Sequence, residues 1–329
     1  MLHEATLSYL KTRKNLLAFS GGGDSTALFF LLLEHNIPFD IAHVNYQTRP
    51  QSDDEEAYAK TLAHTHQKQI FVFTCKLEAS NFEHEARLMR YDFFERVIRE
   101  KNYNTLLSAH HLNDTLEWFL MQLCKGAGLV ELLGMSEYEE KKDYTLLRPL
   151  LHAKKADLLS YLSKLSIPHF EDESNTDIHY LRNRFRHAIS NPLIDMYAEG
   201  ISKSFSFLEA DKSLLIHRAY QCVEDLCLIE RKEDDLLNIR AIDHTLKRLG
   251  TVLSTSQRDE ILKTKECVVG GKFAVCFTPK TIFIAPYVTL TMPKVFKEAC
   301  RKARIPSKIR PYMYRFSIAP DALNLDHTL

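Results

Sequence analysis

The sequence lacks the features that would place the protein in or across a membrane. No uninterrupted apolar run approaches the roughly 20 residues that a membrane-spanning helix needs. The first residues, Met1–Glu4, do not have the charged and then apolar pattern of a signal peptide. We therefore expect a cytoplasmic protein without a membrane partner.

A regular cysteine pattern is also lacking. The seven cysteines are an odd number, scattered from Cys75 to Cys300, and they predict no disulfide framework. Cys222 and Cys227 lie five positions apart on an expected helix, which is not CxxC spacing. The sequence predicts a reduced protein that binds no zinc and no iron–sulfur cluster.

Net charge is absent, because 43 Lys and Arg residues balance 43 Asp and Glu residues. The basic residues are nevertheless segregated. One cluster contains Arg182, Arg184, Arg186 and His187, and a basic segment covers residues 294–315. Segregated basic patches on a neutral chain are compatible with RNA binding, and a solvated helix face explains such a run equally well.

Strand and helix patterns alternate through the first half of the 329-residue chain. Strand-like runs cover residues 16–19, 41–44, 70–74 and 105–109, and helical patterns cover residues 26–34, the stretch from Ser52, residues 81–101 and the stretch after Asp114. Ser52 and Glu55 have the spacing of a capping box. The alternation predicts an α/β fold with a doubly wound parallel sheet in an N-terminal domain of residues 1–195.

The pattern changes in the remaining part, for which we expect a smaller C-terminal region of residues 196–329. Residues 200–262 favour helices, with apolar positions such as Leu226 and Leu228. Residues 267–290 favour short strands, and Gly270-Gly271 predicts a hairpin turn between two of them. The region is expected to be helical and α+β, and to end in the basic segment.

The stretch Ser20-Gly21-Gly22-Gly23-Asp24-Ser25 lies between a predicted strand and a predicted helix. Glycines let the backbone approach a ligand closely, and a helix N-terminus offers N–H groups to an anion. The stretch therefore predicts a phosphate-binding loop. It contains no Walker-type lysine. Asp24 beside phosphates requires a cation between them, which predicts Mg²⁺. An ordinary glycine-rich turn is the alternative.

Two further polar clusters follow predicted strands: His43-Val44-Asn45 with Arg49, and His110–Asp114. Carboxyl ends of parallel strands meet at one edge of a sheet, where ligands bind. We therefore expect these clusters to lie close to the phosphate-binding loop. Polar loops without a ligand are the alternative.

Asp114 and Glu117 are three residues apart at a helix start, so their carboxylates can face the same way. One can hold Mg²⁺ and the other can bind a cationic substrate, although acids are also common in any first helical turn. His110 and His111 are adjacent and point to opposite faces, so we expect only one of them to contact a ligand.

One predicted helix carries Arg87, Arg90 and Tyr91 on one face. Arginine one turn from an aromatic ring suits base stacking and phosphate contact. An amphipathic surface helix with solvated arginines has the same pattern.

These motifs together resemble the PP-loop ATP pyrophosphatases and, among them, the tRNA(Ile)-lysidine synthases. The matching stretches, in chain order, are Ser20–Ser25, His43–Arg49, Glu85–Tyr91, Ala109–Glu117, Lys125–Gly128, Arg148–Leu151, Asp172–Asn175 and Arg182–Arg186. Residues 240–262 and 294–311 resemble the family's C-terminal elements more weakly. Tyr46, Asn113 and Thr115 stand where the family has histidine, aspartate and glutamine.

The resemblance implies a two-step reaction with ATP and Mg²⁺. ATP activates the C2 carbonyl oxygen of the wobble cytidine in an isoleucine tRNA with a CAU anticodon, and pyrophosphate leaves. The ε-amine of free L-lysine then attacks C2, and AMP departs to give lysidine. The partners implied are this tRNA and lysine, with the C-terminal region contacting tRNA; a homodimer is left open.

The resemblance also implies roles for individual residues. The catalytic candidates are Asp24, Asp114, Glu117 and His110. The ATP-binding candidates are Ser20, Gly21, Gly22, Gly23, Asp24, Ser25, His43 and Asn45. The metal candidates are Asp24 and Asp114. The tRNA or substrate candidates are Arg49, Arg87, Arg90, Tyr91, Arg148, Asn175, Arg182, Asn183 and Arg186.

Two alternatives stay open. Another PP-loop enzyme that modifies tRNA, such as a thiolase, would need cysteines that are commonly paired as CxxC, and the chain has no such pair. A homologue that binds ATP and tRNA without catalysis is favoured only by Tyr46 and Asn113.

Overall fold

The computed structural model describes residues 1–47, 51–76, 82–171, 181–215 and 219–323. Its contacts divide the chain into two compact units, Met1–Glu209 and Ala210–Leu329. The predicted boundary between residues 195 and 196 stays a prediction.

The N-terminal unit alternates strands and helices. Its strands are β1 (Asn15–Ala18), β2 (Phe39–Asn45), β3 (Ile70–Thr74), β4 (Thr105–Leu107), β5 (Tyr138–Glu140) and β6 (Thr145–Leu147). Its helices are α1 (Glu4–Lys11), α2 (Gly23–Glu34), α3 (Gln51–Thr65), α4 (Phe82–Lys101), α5 (Leu112–Leu123), α6 (Leu129–Leu132), α7 (Lys155–Lys164) and α8 (Leu181–Phe185). A π-helical turn, Arg186–Ser190, leads into α9 (Asn191–Leu215). Helix α3 begins at Gln51, one residue before the expected cap Ser52.

The six strands form one sheet in the order β3-β2-β1-β4-β6-β5. All neighbours are parallel except β5, which runs antiparallel to β6. The strand order reverses between β1 and β4. Such a switch point opens a crevice at the carboxyl ends of the two strands. The predicted doubly wound parallel sheet is confirmed.

Helices cover both faces of this sheet. Leu17 and Leu107 pack with α2 and α7 on one face, and Leu16 and Leu106 pack with α4 on the other. Strands buried on both faces carry continuous apolar runs, as here. Each fully buried leucine contributes about 1.5–3 kcal/mol relative to an exposed one. The resulting rigid sheet fixes the loops at its carboxyl edge.

The C-terminal unit contains a second sheet. Its strands are β7 (Gln221–Val223), β8 (Leu226–Glu230), β9 (Glu266–Val269), β10 (Phe273–Phe277) and β11 (Thr281–Pro286), in the antiparallel order β7-β8-β11-β10-β9. Its helices are α10 (Asp235–Arg248), α11 (Thr255–Thr264), α12 (Lys294–Lys302) and α13 (Arg310–Arg315). The expected turn at Gly270-Gly271 joins β9 to β10, with φ values of 53° and 69°. Strands are therefore confirmed within residues 267–290.

The expectation of helices throughout residues 200–262 was wrong at residues 221–230, which form the hairpin of β7 and β8. Leu226 and Leu228 lie in β8 and are fully buried. The first four residues of β8 are all buried, so the sequence shows no alternation of apolar and polar residues there. An apolar run this short does not distinguish a strand from a helix.

The expectation that Cys222 and Cys227 lie on a helix as thiols was also wrong. They are direct partners across the β7–β8 hairpin and form a disulfide. The hairpin explains the pairing, because it brings residues five apart to a Cα–Cα distance of 4.2 Å.

Over the part of the chain that the structure describes, no helix is long and apolar enough to cross a membrane.

Candidate functional site

The loop between β1 and α2 is ordered by its own serines. Ser25 Oγ donates to the Gly22 carbonyl at 3.0 Å and lies 3.1 Å from Ser20 Oγ. Gly21 has φ +85°, and Gly22 caps α2. The first N–H groups of α2 have no partner within the helix and can bind an anion. The geometry is that of a phosphate-binding loop.

Gly21 offers a direct test of this loop. An alanine at φ +85° is strained by about 1–2 kcal/mol, and its Cβ would lie 3.5 Å from Glu55 and Phe170. We expect Gly21→Ala to weaken ATP binding by about tenfold, measured by calorimetry. Gly200→Ala is the matched control, because its Cβ meets no atom within 4 Å on helix α9, and it should leave ATP affinity unchanged. Equal affinities for both variants would contradict the loop's role.

Asp24 follows the glycines and contacts His111 in the polar cluster of residues 110–114. Its Oδ2 lies 3.4 Å from His111 Nε2. Its Oδ1 is buried and has no hydrogen-bond partner among the described residues. A buried carboxylate oxygen without a partner at a phosphate-binding loop fits a cation.

His111 connects Asp24 to the start of α5. It caps this helix, and its Nδ1 lies 3.4 Å from both the amide nitrogen and Oδ2 of Asp114. Nδ1 accepts from the amide when the ring is neutral and donates to Oδ2 when it is protonated. His111 thus links the nucleotide loop to the acid pair of α5. Sequence reasoning favoured His110; the His-x-x-Asp spacing of a capping box was the signal that could have indicated His111.

The two histidines differ in their ionisation. Burial alone lowers the pKa of His111, but the charges of Asp114 and Asp24 outweigh it and raise the pKa. Burial lowers the pKa of His110 to about 4. His110 Nδ1 lies 2.9 Å from Ser108 Oγ. His111 is therefore protonated near neutral pH more readily than His110.

We expect NMR titration of the ligand-free protein to separate these histidines. The pKa of His111 should lie above 6.5 and that of His110 near 4. Because the folded-state pKa of His111 is raised, its stabilising contribution is complete below the unfolded value and is lost as pH rises through the folded value. His111→Gln should remove the higher titration and that part of the pH dependence. A higher pKa for His110 than for His111 would contradict the assignment.

Asp114 and Glu117 lie together, as predicted, and both are buried. Asp114 Oδ2 accepts from the His111 amide at 3.1 Å, and Oδ1 accepts from Arg182 at 3.0 Å. Burial alone raises the pKa of Asp114, but the two neighbouring histidines and Arg182 lower it well below its usual range.

The side chain of Glu117 is bound by two arginines, Arg182 and Arg186. Its Oε1 accepts from Arg182 Nε, and its Oε2 accepts from Arg186 Nε at 2.9 Å. The Glu117 side chain is 1% exposed, that of Arg186 15% and that of Arg182 40%. The expected tRNA contacts Arg182 and Arg186 thus form ion pairs with the acid pair in this structure.

His43 and Asn45 lie at the end of β2 and are buried. His43 Nδ1 donates to the Phe19 carbonyl at 3.0 Å, which leaves Nε2 as a buried acceptor without a partner among the described residues. Burial lowers the pKa of His43, so the ring stays neutral. Asn45 Nδ2 donates to Asp53 at 2.9 Å and to Glu56 at 2.8 Å. His43 therefore holds Phe19, the residue before the nucleotide loop, and Asn45 connects β2 to α3.

The three departures from the family pattern have structural partners. Asn113 Nδ2 donates to Asn191 Oδ1 at 3.0 Å, and its Oδ1 accepts from the Lys155 amide at 3.2 Å. Tyr46 donates to the Ala86 carbonyl of α4 at 2.9 Å. Thr115 donates to the His111 carbonyl. Asn113 joins α5 to α7 and α9, a task that needs both a donor and an acceptor.

The remaining candidates divide by exposure. Arg87 and Arg90 are exposed on α4, and the Arg87 guanidinium lies 5.1 Å from the Tyr91 ring centroid. Arg148 is buried and donates to the Ser136 carbonyl and to Glu139 at 2.7 and 2.8 Å, which disfavours contact with tRNA. Asn183 is also buried. Arg49 and Asn175 lie outside the described residues.

The two metal candidates differ in what they offer. Asp24 presents a buried oxygen without a described partner, whereas both oxygens of Asp114 already accept hydrogen bonds. Asp24 therefore fits a cation better than Asp114. The described part of the chain contains no group of three or more His, Cys, Asp or Glu residues that could hold a metal ion by itself, so a cation at Asp24 would depend on phosphate oxygens for further ligands.

Comparison with known proteins identifies the family. A family profile described as a PP-loop domain matches residues 2–193. The tRNA(Ile)-lysidine synthase of Wolinella succinogenes is 49% identical over 94% of this chain and 95% of its own length. Those of Campylobacter jejuni and Helicobacter pylori are 44% and 43% identical, over 98% and 94% of this chain and 99% and 91% of their own.

The chain belongs to the tRNA(Ile)-lysidine synthase family. It is therefore an enzyme, a ligase with an ATP-binding PP-loop domain. Among solved structures, the U34-tRNA thiolase NcsA from Methanococcus maripaludis with its [4Fe-4S] cluster resembles 65% of this chain and 77% of its own, with a TM-score of 0.54 and 18% identity. This similarity shows the PP-loop fold alone.

Proposed function

We propose that this lysidine synthase family member ligates free L-lysine to C2 of the wobble cytidine in an isoleucine tRNA with a CAU anticodon, in the cytoplasm. ATP is consumed, and AMP and pyrophosphate are released. The relatives' shared name supports the tRNA substrate. A homodimer stays a prediction.

One observation carries this proposal: His111 lies 3.4 Å from both Asp24 and Asp114 at the switch point of the sheet. The nucleotide loop and the acid pair are thereby parts of one site. The cytidine C2 carbonyl is inert until its oxygen becomes a leaving group, so adenylation at the loop must precede attack by the amine. A site that joins both halves suits two successive steps on one nucleotide.

The nucleotide loop binds and orients the phosphates of ATP. The N–H groups at the start of α2 and the serine hydroxyls oppose the charge that accumulates as pyrophosphate leaves. Asp24 would hold Mg²⁺, which neutralises phosphate charge when bound. A Walker-type lysine contacts the outer phosphates of ATP. The proposed reaction releases these phosphates as pyrophosphate and transfers neither of them, so the loop needs no such lysine.

The acid pair and its arginines would receive lysine. Asp114 and Glu117 attract the ε-ammonium, while Arg182 and Arg186 repel it. Like charges disfavour the protonated amine and lower its pKa, and only the neutral amine is a nucleophile. The two acids would orient the amine, and the two arginines would offset the tendency of the acids to keep it protonated.

The tRNA would be bound by exposed basic surfaces. On α4, Arg87, Arg90 and Tyr91 offer guanidinium groups and a ring to splayed bases. In the C-terminal unit, α12 exposes lysines and arginines. Removing the whole basic segment would also remove Tyr312 and Met313 from that unit's core, so charge reversal is the cleaner test.

We expect Lys297→Glu combined with Arg301→Glu to weaken tRNA binding by about tenfold at 0.1 M salt. ATP affinity should not change. Lys263→Glu, an exposed lysine on α11, is the control. Filter binding measures both affinities. Equal tRNA affinity for the double variant and the control would remove α12 from the tRNA-binding surface.

The proposed reaction is tested with ATP, labelled lysine and unmodified CAU-anticodon isoleucine tRNA. Lysine incorporation into tRNA with AMP release supports the proposal. Incorporation of sulfur from a sulfur donor, without lysine, would indicate a thiolase. Binding of ATP and tRNA without AMP release would indicate an inactive homologue.

A further inference from the structure

The hairpin of β7 and β8 carries a feature that the proposed reaction does not use. Its only described cross-strand cysteine pair, Cys222 and Cys227, is disulfide-bonded. Cys222 is exposed and Cys227 is fully buried. Reactants from solvent can therefore reach one sulfur, while the second is shielded beside it.

A guanidinium group lies against both sulfurs. Arg248, the last residue of α10, has NH2 3.1 Å from Cys222 Sγ and 3.7 Å from Cys227 Sγ. A neighbouring arginine stabilises a thiolate and raises its fraction near neutral pH. The thiolate is the species that attacks disulfides and the species that leaves when a disulfide is reduced. Arg248 thus favours exchange in both directions.

The other cysteines lack this arrangement. Burial raises the pKa of the Cys267, Cys276 and Cys300 thiols, that of Cys276 to about 12. Cys75 has its pKa raised in the same way. Cys124 is exposed and outside any disulfide, and it therefore serves as the internal reference for an exposed thiol.

We propose that Cys222 and Cys227 form a reversible thiol–disulfide exchange site, supported by Arg248, that reacts with small disulfides such as oxidised glutathione. The Cys222 thiolate attacks one sulfur of the reactant, and one thiolate leaves. Cys227, after losing its proton, attacks Cys222 Sγ, and the second thiolate leaves. The two protein thiols are oxidised, and the reactant disulfide is reduced to two thiols that take up the two protons.

The hairpin contacts helix α13 of the basic segment and the residues that follow this segment in the same unit. The Asp225 amide in the hairpin turn donates to the Tyr312 hydroxyl of α13 at 3.1 Å. Gln221 Nε2 donates to the Ala322 carbonyl at 3.0 Å. Reduction removes the covalent link between β7, an edge strand, and β8. We expect faster amide exchange in β7 and at these two contacts in the reduced protein.

The full-length protein is equilibrated in glutathione buffers of increasing oxidised fraction, alkylated and analysed by peptide mass spectrometry. We expect Cys222 and Cys227 to convert together to an internal disulfide, while Cys124 remains a thiol or a glutathione adduct. In the reduced protein at pH 7, iodoacetamide should modify Cys222 about tenfold faster than Cys124. Arg248→Ala should remove most of this difference, and Arg240→Ala on the same helix should not.

Cys227→Ser provides a second measurement that does not depend on Arg248. Without the resolving thiol, Cys222 should accumulate a stable mixed disulfide with glutathione. The proposal is overturned if no internal disulfide forms at any buffer composition. It is also overturned if Arg248→Ala and Arg240→Ala leave Cys222 equally reactive, or if Cys227→Ser gives no mixed disulfide. These outcomes do not depend on the tRNA reaction.

Discussion

Replacing Asp24 by alanine is expected to lower the rate of AMP formation by about 10³-fold. Asp24 Oδ1 is buried at the nucleotide loop without a described partner, and Oδ2 contacts His111. Without this carboxylate, the site loses the buried oxygen that best fits a cation between the phosphates. AMP formation is measured with saturating ATP, lysine and tRNA.

The control for this variant is Asp157→Ala. Asp157 lies in the first turn of α7, and its carboxylate, 3.6 Å from Lys154 Nζ, is half exposed. We expect normal AMP formation from this variant. Full activity of Asp24→Ala would contradict the proposed role of the nucleotide loop in ATP cleavage. Loss of activity in both variants would point to a change in folding, which circular dichroism detects.

The second large effect is expected at Glu117. Glu117→Gln keeps the shape of the side chain but removes one of the two carboxylates, those of Glu117 and Asp114, that Arg182 and Arg186 contact. Breaking a buried ion pair costs about 3–5 kcal/mol. We expect about 2–3 kcal/mol here, because the Arg182 side chain is 40% exposed. Denaturant unfolding measures the loss, and lysine transfer should be lost as well.

A double-mutant cycle separates the ion pair from other effects. We expect Arg186→Gln in the Glu117→Gln background to cost less stability than in the wild type, with a coupling of about 1–2 kcal/mol. Glu199→Gln, an exposed acid on α9, is the control and should be neutral. Zero coupling would mean that the contact between Glu117 and Arg186 does not contribute to the fold.

The N-terminal unit could be predicted from the sequence because its signals are local. Apolar runs such as Ile70–Thr74 match the observed strand, and the glycines of the nucleotide loop lie where β1 meets α2. The order of the strands then brings the nucleotide loop close to the polar clusters at His43 and at His111. Local sequence patterns and the topology rule for parallel sheets were therefore sufficient to predict the fold of the N-terminal unit.

Other features depend on contacts that the sequence pattern does not contain. Arg182 and Arg186 pair with Glu117 across 65 and 69 residues, and a basic cluster read alone suggests a surface. The choice of His111 over His110 depends on the helix cap that His111 forms. Cys222 and Cys227 meet only because β7 and β8 form a hairpin, and that hairpin was missed.

One site is proposed to activate the cytidine with ATP first and to admit lysine second. Rapid-quench measurement of pyrophosphate and AMP, with and without lysine, separates these two steps. We expect pyrophosphate to form in a single burst without lysine, up to one equivalent per bound tRNA, and AMP to be released only when lysine is added. Pyrophosphate formation that requires lysine, or AMP release without it, would contradict the two-step account.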